Sequence, residues 1–291
     1  MKKEATTEIP KAPDRLAVLA KIEEYERLGL FDRDVEEDPP GKVLHPEDIT
    51  YLSRNPIKRI KRDVSFAIAR LYFWRGLVAK KKLFLSPVLG VENLSGVTGG
   101  AVITCNHFHP FDSFFMQRVF DLSKRRGRMY RVIREGNYTA FPGFYGMLMR
   151  NCDTLPLSSD PATMRAFLKA VHTVLDRGDC LLVYAEQSLW WNYRKPKPLQ
   201  MGAFDIAVRR GVPVVPCFIT FEDTELIGED GFPVQRYTPH VGAPIYPDPA
   251  LPKRAAAEKM KAENEAYCRE VYERVYGKPL VYHTEKPSEQ P

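Results

Sequence analysis

The sequence predicts an α/β fold: a central, mostly parallel sheet flanked by helices and preceded by an N-terminal helical element. Three observations predict it. Apolar runs and helical patterns alternate from residue 101 to residue 221. The runs 101–105, 180–185 and the Pro-bracketed VPVVPCFITF are apolar almost throughout, as strands covered on both faces are. Between them lies the clearest helix of the chain, with a start signal, an apolar face and a stop signal.

The elements follow in order. Residues 14–29 form a short helix ended by Gly29, and DRDVEEDPPGK is a turn-rich connector. Residues 50–82 are helical, with an interruption at Asn55-Pro56. LGVENLSGVTGG leads to the first strand, 101–105. A helix over 112–125 and a strand over 128–134, RMYRVIR, come next, and GNYTAFPGFYGMLM is irregular, punctuated by Gly and Pro. Asp160 then caps a helix with Pro161 in its first turn. Met164, Phe167, Leu168, Val171 and Leu175 recur at helical spacing on one face, and Gly178 stops it. After the strand 180–185, a helix over 201–210 stops at Gly211 and the Pro-bracketed strand follows. A last amphipathic helix spans 253–276, with Met260, Tyr267, Val271 and Val275 on one side. The resulting division is an acidic segment (1–50), a basic amphipathic helical element (51–87), an αβ domain (88–250) and a C-terminal helix and tail (251–291).

With 44% hydrophobic residues in 291, the chain has material for a sizeable core, and only MKKEATTEIPKAP and HTEKPSEQP suit disorder. Cys105, Cys152, Cys180, Cys217 and Cys268 are odd in number and form no CxxC, which suits a reducing compartment without a disulfide framework. No charged-then-apolar leader opens the chain, and no uncharged apolar run reaches the roughly 18 residues of a spanning helix.

The net charge of +6 hides a segregation. Residues 1–50 hold 13 acidic and 8 basic side chains, whereas residues 54–82 hold 10 basic and one acidic. The basic stretch also carries Phe66, Ile68, Leu71, Tyr72, Phe73, Trp74, Leu77 and Val78. That mixture on a helix fits an anionic membrane surface, or a core helix with solvated cationic ends. No nucleic-acid module accompanies the charge, so no nucleic-acid partner is expected. The location predicted is the cytoplasmic face of the cell membrane, peripherally.

The stretch AVITCNHFHPFDSFF carries the chemistry. His107 falls just past a strand, and Asp112 opens the following helix, the edge where active groups of α/β sheets collect. A carboxylate there can accept the Nδ1 proton of His107 and leave Nε2 free to take a proton from an incoming hydroxyl. This is a base with its orienting partner, and no protein nucleophile is needed when the acceptor itself attacks. The pair His107 and His109 also fits the beginning of a zinc site, and hence a metal-dependent hydrolase, but the remaining His45, His172, His240 and His283 offer no further ligand pattern; no metal is expected. Farther on, LLVYAEQSLWW sets Glu186 at the end of another buried strand, unusual for a carboxylate unless it is paired or working. Cys105 lies inside its strand and reads as a small core residue. Trp190 and Trp191 suit an acyl or headgroup pocket, a membrane interface, or the core.

Taken together, VENLSG, ITCNHFHPFDSFF, TLPLSSDPATMRAFLKAVHTVLDRGDCLLVYAEQS and MGAFDIAVRRGVPVVPCFI resemble, in order and spacing, the conserved blocks of the glycerolipid acyltransferase superfamily, of the lysophosphatidic acid acyltransferase type. The resemblance covers about residues 88–221. It implies a glycerol-3-phosphate acyltransferase-like αβ domain that moves a fatty acyl group from acyl-CoA or acyl carrier protein to a lysolipid hydroxyl in phospholipid biosynthesis, with no other cofactor. His107 would be the base and Asp112 its partner, with Asn106, Glu186, Gln187, Ser188 and Trp190 around the substrate. Two departures stand out. Ser159 and Leu189 occupy places where the family usually has an Arg that grips the acceptor phosphate. Arg194, Lys195 or Lys197 would then supply the missing cation, or the acceptor is a lysolipid with a neutral or amino-acid headgroup.

Overall fold

The structure is a computed structural model, and it describes residues 9–37 and 41–285. The disorder expected at the two ends falls largely on residues 1–8 and 286–291, outside that range.

The helices, in chain order, are α1 (Pro13–Arg27), α2 (Pro56–Leu71), α3 (Val91–Ser95), α4 (Asp112–Leu122), α5 (Glu135–Thr139), α6 (Gly143–Asn151), α7 (Pro161–Asp176), α8 (Gly202–Arg210) and α9 (Lys253–Tyr276). The strands are β1 (Phe84–Leu85), β2 (Ala101–Thr104), β3 (Met129–Ile133), β4 (Thr154–Pro156), β5 (Cys180–Val183), β6 (Val214–Ile227) and β7 (Pro233–Val241). They form one seven-stranded sheet in the order β1-β7-β6-β2-β5-β3-β4. Every pairing is parallel except the β6–β7 hairpin. The mostly parallel, helix-flanked sheet expected from the strand–helix alternation is therefore present, with an antiparallel arm at one side.

β2 is central because it is apolar on both faces: Ala101, Val102 and Ile103 are wholly buried. Ile103 and Leu182 of β5 point into one core with Phe115, Met116 and Val119 of α4. Val102 and Leu181 point into the other, with Phe167 and Val171 of α7 and Phe204 of α8. Gly100 precedes β2 where the backbone of Leu175, at the end of α7, comes so close that a Cβ would collide with it. α7 starts as its sequence requires, with the Asp160 carboxylate accepting the Thr163 N–H at 2.7 Å.

Several elements differ from expectation. The stretch thought irregular forms α5 and α6, and β1, β4, β7 and α3 were not foreseen. Residues 50–55 are not helical; α2 begins at Pro56 and, instead of continuing as an α-helix, widens into a π-helical segment, Tyr72–Val78. The wider turn brings Phe73 into the core, stacked on Phe114 at 5.4 Å, and sets Tyr72 against Phe144 at 4.7 Å. Along the rest of α2, Ile57, Ile60, Val64, Ile68 and Leu71 form an apolar stripe that faces solvent, between 40% and 63% exposed. Among the described residues no helix is long and apolar enough to cross a membrane.

The N-terminal segment straps across the loop that follows β5. The buried Glu26 of α1 takes hydrogen bonds from Lys195 Nζ, Tyr193 Oη and the His283 N–H. Burial opposes its ionisation, but these three donors outweigh it and hold the carboxyl below its ordinary range.

Candidate active site

β2 delivers His107 to the C-terminal edge of the sheet, and Asp112 is the first residue of α4. The loop between them turns back through the Asp112 N–H, which donates to the His109 carbonyl at 3.0 Å. His107 Nδ1 thereby lies 2.5 Å from Asp112 Oδ2. Asp112 is buried, while the His107 side chain keeps 21% exposure. The imidazole also stacks on the Tyr184 ring at 4.3 Å, and Tyr184 Oη shares a hydrogen bond with Ser113 Oγ at 3.0 Å. A carboxylate at Nδ1 keeps the proton there, so Nε2 presents its lone pair to the cavity. Burial pushes the Tyr184 phenol well up, which keeps it a neutral wall.

Glu186 holds this arrangement from behind. Its Oε2 accepts the backbone N–H of His107 at 3.1 Å, and its Oε1 accepts that of Lys197 at 2.9 Å. Lys197 is buried too. Its Nζ donates to the Ser188 carbonyl at 2.5 Å and to Ser188 Oγ at 2.9 Å, lies over the Trp190 ring, and stands 3.9 Å from Glu186. Burial drives both groups toward neutrality: the Glu186 carboxyl is raised, against the pull of Lys197, and the Lys197 ammonium is lowered to about 8. Gln187 follows Glu186 in the left-handed region, φ 66°, uncommon for a residue with a side chain.

A cavity of about 1310 Å³ opens from His107, Asp112 and Tyr184. Phe66 and Phe73 line it beneath α2, and Leu168 and Ile206 line it between α7 and α8.

The predicted site residues separate on this geometry. His107, Asp112 and Gln187 line the cavity, as does Leu189. Asn106 does not: it is buried, and its side-chain amide exchanges two hydrogen bonds with the backbone of Ile219, tying the site loop to β6. Glu186 and Ser188 are buried and engaged as described, and Ser188 Oγ also bonds the Phe31 carbonyl. Trp190 is wholly buried, stacked on Phe31 with its Nε1 donating to the Arg33 carbonyl, so it anchors the strap instead of lining a pocket. Arg194 is turned to Asp223 at 2.7 Å and Lys195 to Glu26 at 2.5 Å. Of the residues expected around the substrate, Asn106, Glu186, Ser188, Trp190, Arg194 and Lys195 thus lie outside the lining of this cavity. The alternative of a His107–His109 metal pair finds no convergence of the two rings on one site. His109 packs between Phe111 and Tyr237, its Nδ1 accepts the Phe111 N–H, and burial lowers it to about 3. No group of three His, Cys, Asp or Glu among the described residues is placed to hold a metal.

Sequence reasoning missed Tyr184, Arg131 and Arg134, which line the cavity. Arg131 had a signal, a charged residue inside the apolar strand RMYRVIR. It is buried, bonded to the Cys152 carbonyl that ends α6 and to Gln117.

Residues 87–220 match the family model described as Acyltransferase. The stretch that holds the sheet and the His107–Asp112 loop is thus similar to the acyltransferase family. No curated protein sequence matches it. Among solved structures it is similar to the crystal structure of the 1-acyl-sn-glycerophosphate (LPA) acyltransferase PlsC from Thermotoga maritima, with 16% identity over 77% of this chain and 98% of that one, and a TM-score of 0.48. The two positions at which the resembling family usually carries Arg are placed differently here. Ser159 is held by Glu135 through its hydroxyl at 2.9 Å, away from the cavity, whereas Leu189 presents an apolar surface to it.

Proposed function

We propose that the chain transfers a fatty acyl group from the thioester of CoA or acyl carrier protein to the hydroxyl of a lysolipid, at the surface of a membrane, in membrane lipid biosynthesis. The observation that carries this reading is the His107–Asp112 pair, 2.5 Å apart, opening into a large and mainly apolar cavity within a stretch similar to the acyltransferase family. His107 Nε2 takes the proton of the lysolipid hydroxyl as its oxygen attacks the thioester carbonyl. The tetrahedral intermediate collapses, the C–S bond breaks, and the departing thiolate takes that proton from the imidazolium. The products are an acylated lipid and a free thiol. No side chain of the protein need be acylated: the Cys105 thiol is buried and pushed well up, and the Ser113 hydroxyl is occupied by Tyr184.

The exposed stripe of α2, flanked by Lys58, Arg59 and Lys61, supports docking on an anionic bilayer with the cavity mouth against the lipid. Two acceptors fit the family, 1-acyl-sn-glycerol-3-phosphate and a lysolipid without a free phosphate. The second is favoured by Leu189, and by the strap's Asp34, which sits 2.5 Å from the cavity-lining Arg134. The test is release of free thiol and formation of acylated product from acyl-CoA and from acyl carrier protein, over a panel of phosphate, zwitterionic, neutral and amino-acid lysolipids. Absence of product with every pair would overturn the reading.

A further inference from the structure

Among the described residues Lys197 is the only buried lysine, and the acyl-transfer steps make no use of it. A buried ammonium is costly unless its surroundings fix it in place. Lys197 stands between Pro196 and Pro198. The proline that follows disfavours the helical region for Lys197, so its backbone is largely set in advance. Its N–H meets Glu186 Oε1 at 2.9 Å, and its side chain runs back to Ser188 and to the face of Trp190.

These partners belong to one loop, and that loop holds the backbone of the base on both sides. Glu186 Oε2 accepts the His107 N–H at 3.1 Å, and the Trp190 N–H donates to the His107 carbonyl at 3.0 Å. Ser188 lies between them, its N–H donating to the Glu186 carbonyl and its hydroxyl to the Phe31 carbonyl. Lys197 therefore joins the two residues that grip His107. Its charge matters as much as its bonds. A carboxylate accepts two N–H groups with its two oxygens, whereas a protonated carboxyl turns one oxygen into a donor. Burial favours the protonated form of Glu186, and Lys197, 3.9 Å away, is the foremost of the groups that oppose it.

We propose that Lys197 is a positioning residue for the base: its ammonium keeps Glu186 ionised, its hydrogen bonds fix the loop from Glu186 to Trp190, and together these hold His107 against Asp112 and the cavity. The proposal rests on the acyl-transfer reading. It makes the rate depend on the charge of a side chain that does not line the cavity. Burial and, less strongly, Arg134 oppose that charge, while Glu186, Asp34 and Asp32 favour it; the balance lowers Lys197 to about 8. Above that pH the ammonium is lost and Glu186 is left buried without its counter-charge. The nearby Tyr184 phenol and Cys105 thiol are both pushed well up by burial. A general base is not impaired by rising pH, so a loss of rate on the alkaline side singles out Lys197.

The experiment follows acylated lipid from about pH 6 to pH 10, a span that brackets an ordinary and a lowered lysine, in wild type, Lys197→Gln and Lys197→Arg. In wild type kcat should fall above about pH 8 while the acceptor KM holds. Lys197→Gln should lose kcat by about 10-fold or more at neutral pH, with KM unchanged and the alkaline fall gone. Lys197→Arg, which stays charged, should move the fall to higher pH. The NMR signals of the His107 ring, assigned by their absence from His107→Ala, report its position without turnover. They should be single and sharp in wild type, and broadened or doubled in Lys197→Gln. A wild-type kcat that stays level across the alkaline range overturns the proposal, and this measurement needs no variant to fold. So does a folded Lys197→Gln with full kcat, or one that raises KM alone, which would put the lysine on the acceptor. Failure of the acyl-transfer reading shows separately, as absence of acylated lipid with every donor and acceptor at any pH. The His107 signals then still decide the positioning role, and signals unchanged in Lys197→Gln overturn it.

Discussion

Glu186 Oε2 accepts the backbone N–H of His107 at 3.1 Å, so the carboxylate after β5 fixes the base after β2 from behind its ring. The same carboxylate takes the Lys197 N–H, and Lys197 Nζ supplies the nearest positive charge. We therefore propose that Glu186 acts through His107 and not on the acceptor. Glu186→Gln keeps the shape but can accept only one of the two N–H groups. A hydrogen bond to a charged group contributes roughly 1.5–3 kcal/mol, so kcat should fall by about 10- to 100-fold. The acceptor KM should change little. A KM effect with kcat intact would instead place Glu186 on the substrate.

His107→Ala should remove acyl transfer by roughly 10²–10⁴-fold, the usual contribution of a positioned base, with the protein still folded. Asp112→Asn should lose much of the same rate, because an amide no longer enforces the proton on Nδ1. Thiol release with the best acceptor, beside a thermal melt, checks both. Retention of more than about a tenth of the rate in His107→Ala would remove it from the base role.

The sequence made the His107–Asp112 pair legible because its signals are local. The two residues are five apart, and the strand before them is buried throughout. The Asp160 cap and the glycines after α7 and α8 are equally local. What stayed illegible depends on long-range partners. Lys195 reads as a free cation, but its partner Glu26 lies 169 residues earlier. Trp190 reads as a pocket wall, and only the strap's Phe31 and Arg33 show that it is buried. β7 carries Pro233, Gln235, Arg236 and Pro239 and becomes a strand through pairing with β6 and β1. The periodicity of α2 gave a helix but not the direction of its apolar face.

That face leads to the next prediction. Ile60→Asp with Val64→Asp should weaken binding to vesicles of anionic lipid by about 10-fold or more, since large apolar side chains lose a bilayer contact. Both positions are over half exposed, so stability in solution should hardly change. Changing Lys80, Lys81 and Lys82 to Glu should weaken binding further at low salt, at about 1 kcal/mol or less per charge, and high salt should narrow the difference. Flotation with anionic and neutral vesicles is the measurement. Equal binding to both, untouched by the α2 substitutions, would count against docking through this helix.

His240 predicts a pH effect on stability that is independent of catalysis. Its Nε2 meets Thr220 Oγ1 at 2.9 Å, and its buried Nδ1 has no hydrogen-bond partner. Burial, reinforced by the charge of Arg274, lowers the imidazole to about 4. The unfolded chain therefore binds a proton near pH 6.5 that the native state refuses until about pH 4. The contribution is present above pH 6.5 and is lost progressively as pH falls toward 4. Between pH 7 and 5.5 it amounts to about 1 kcal/mol. Urea unfolding at these two pH values should show a smaller acid loss in His240→Asn than in wild type. Identical losses would show that the native state admits the proton.

The acceptor headgroup is decided where the strap meets the cavity. Arg134 lines the cavity at the end of β3, but one of its nitrogens is 2.5 Å from Asp34 and another donates to the Gln187 carbonyl at 3.2 Å. A phosphate reaching Arg134 must displace the strap's carboxylate, and neither Leu189 nor the occupied Arg194 and Lys195 offers a substitute cation. Neutral, zwitterionic or amino-acid lysolipids should then have higher specificity constants than lysophosphatidic acid. Asp34→Asn frees Arg134 and should raise the constant for lysophosphatidic acid selectively. The gain should be about 10-fold at most, because both partners are partly exposed and screened. Adding Arg134→Gln should abolish that gain. The neutral acceptors serve as the internal control, since a strap merely loosened by the substitution would change them equally. A wild type that already prefers lysophosphatidic acid, with the preference intact in Arg134→Gln, would mean that the phosphate is gripped elsewhere in the cavity. Arg131 and Gln117 beneath α2 would then be the next side chains to change.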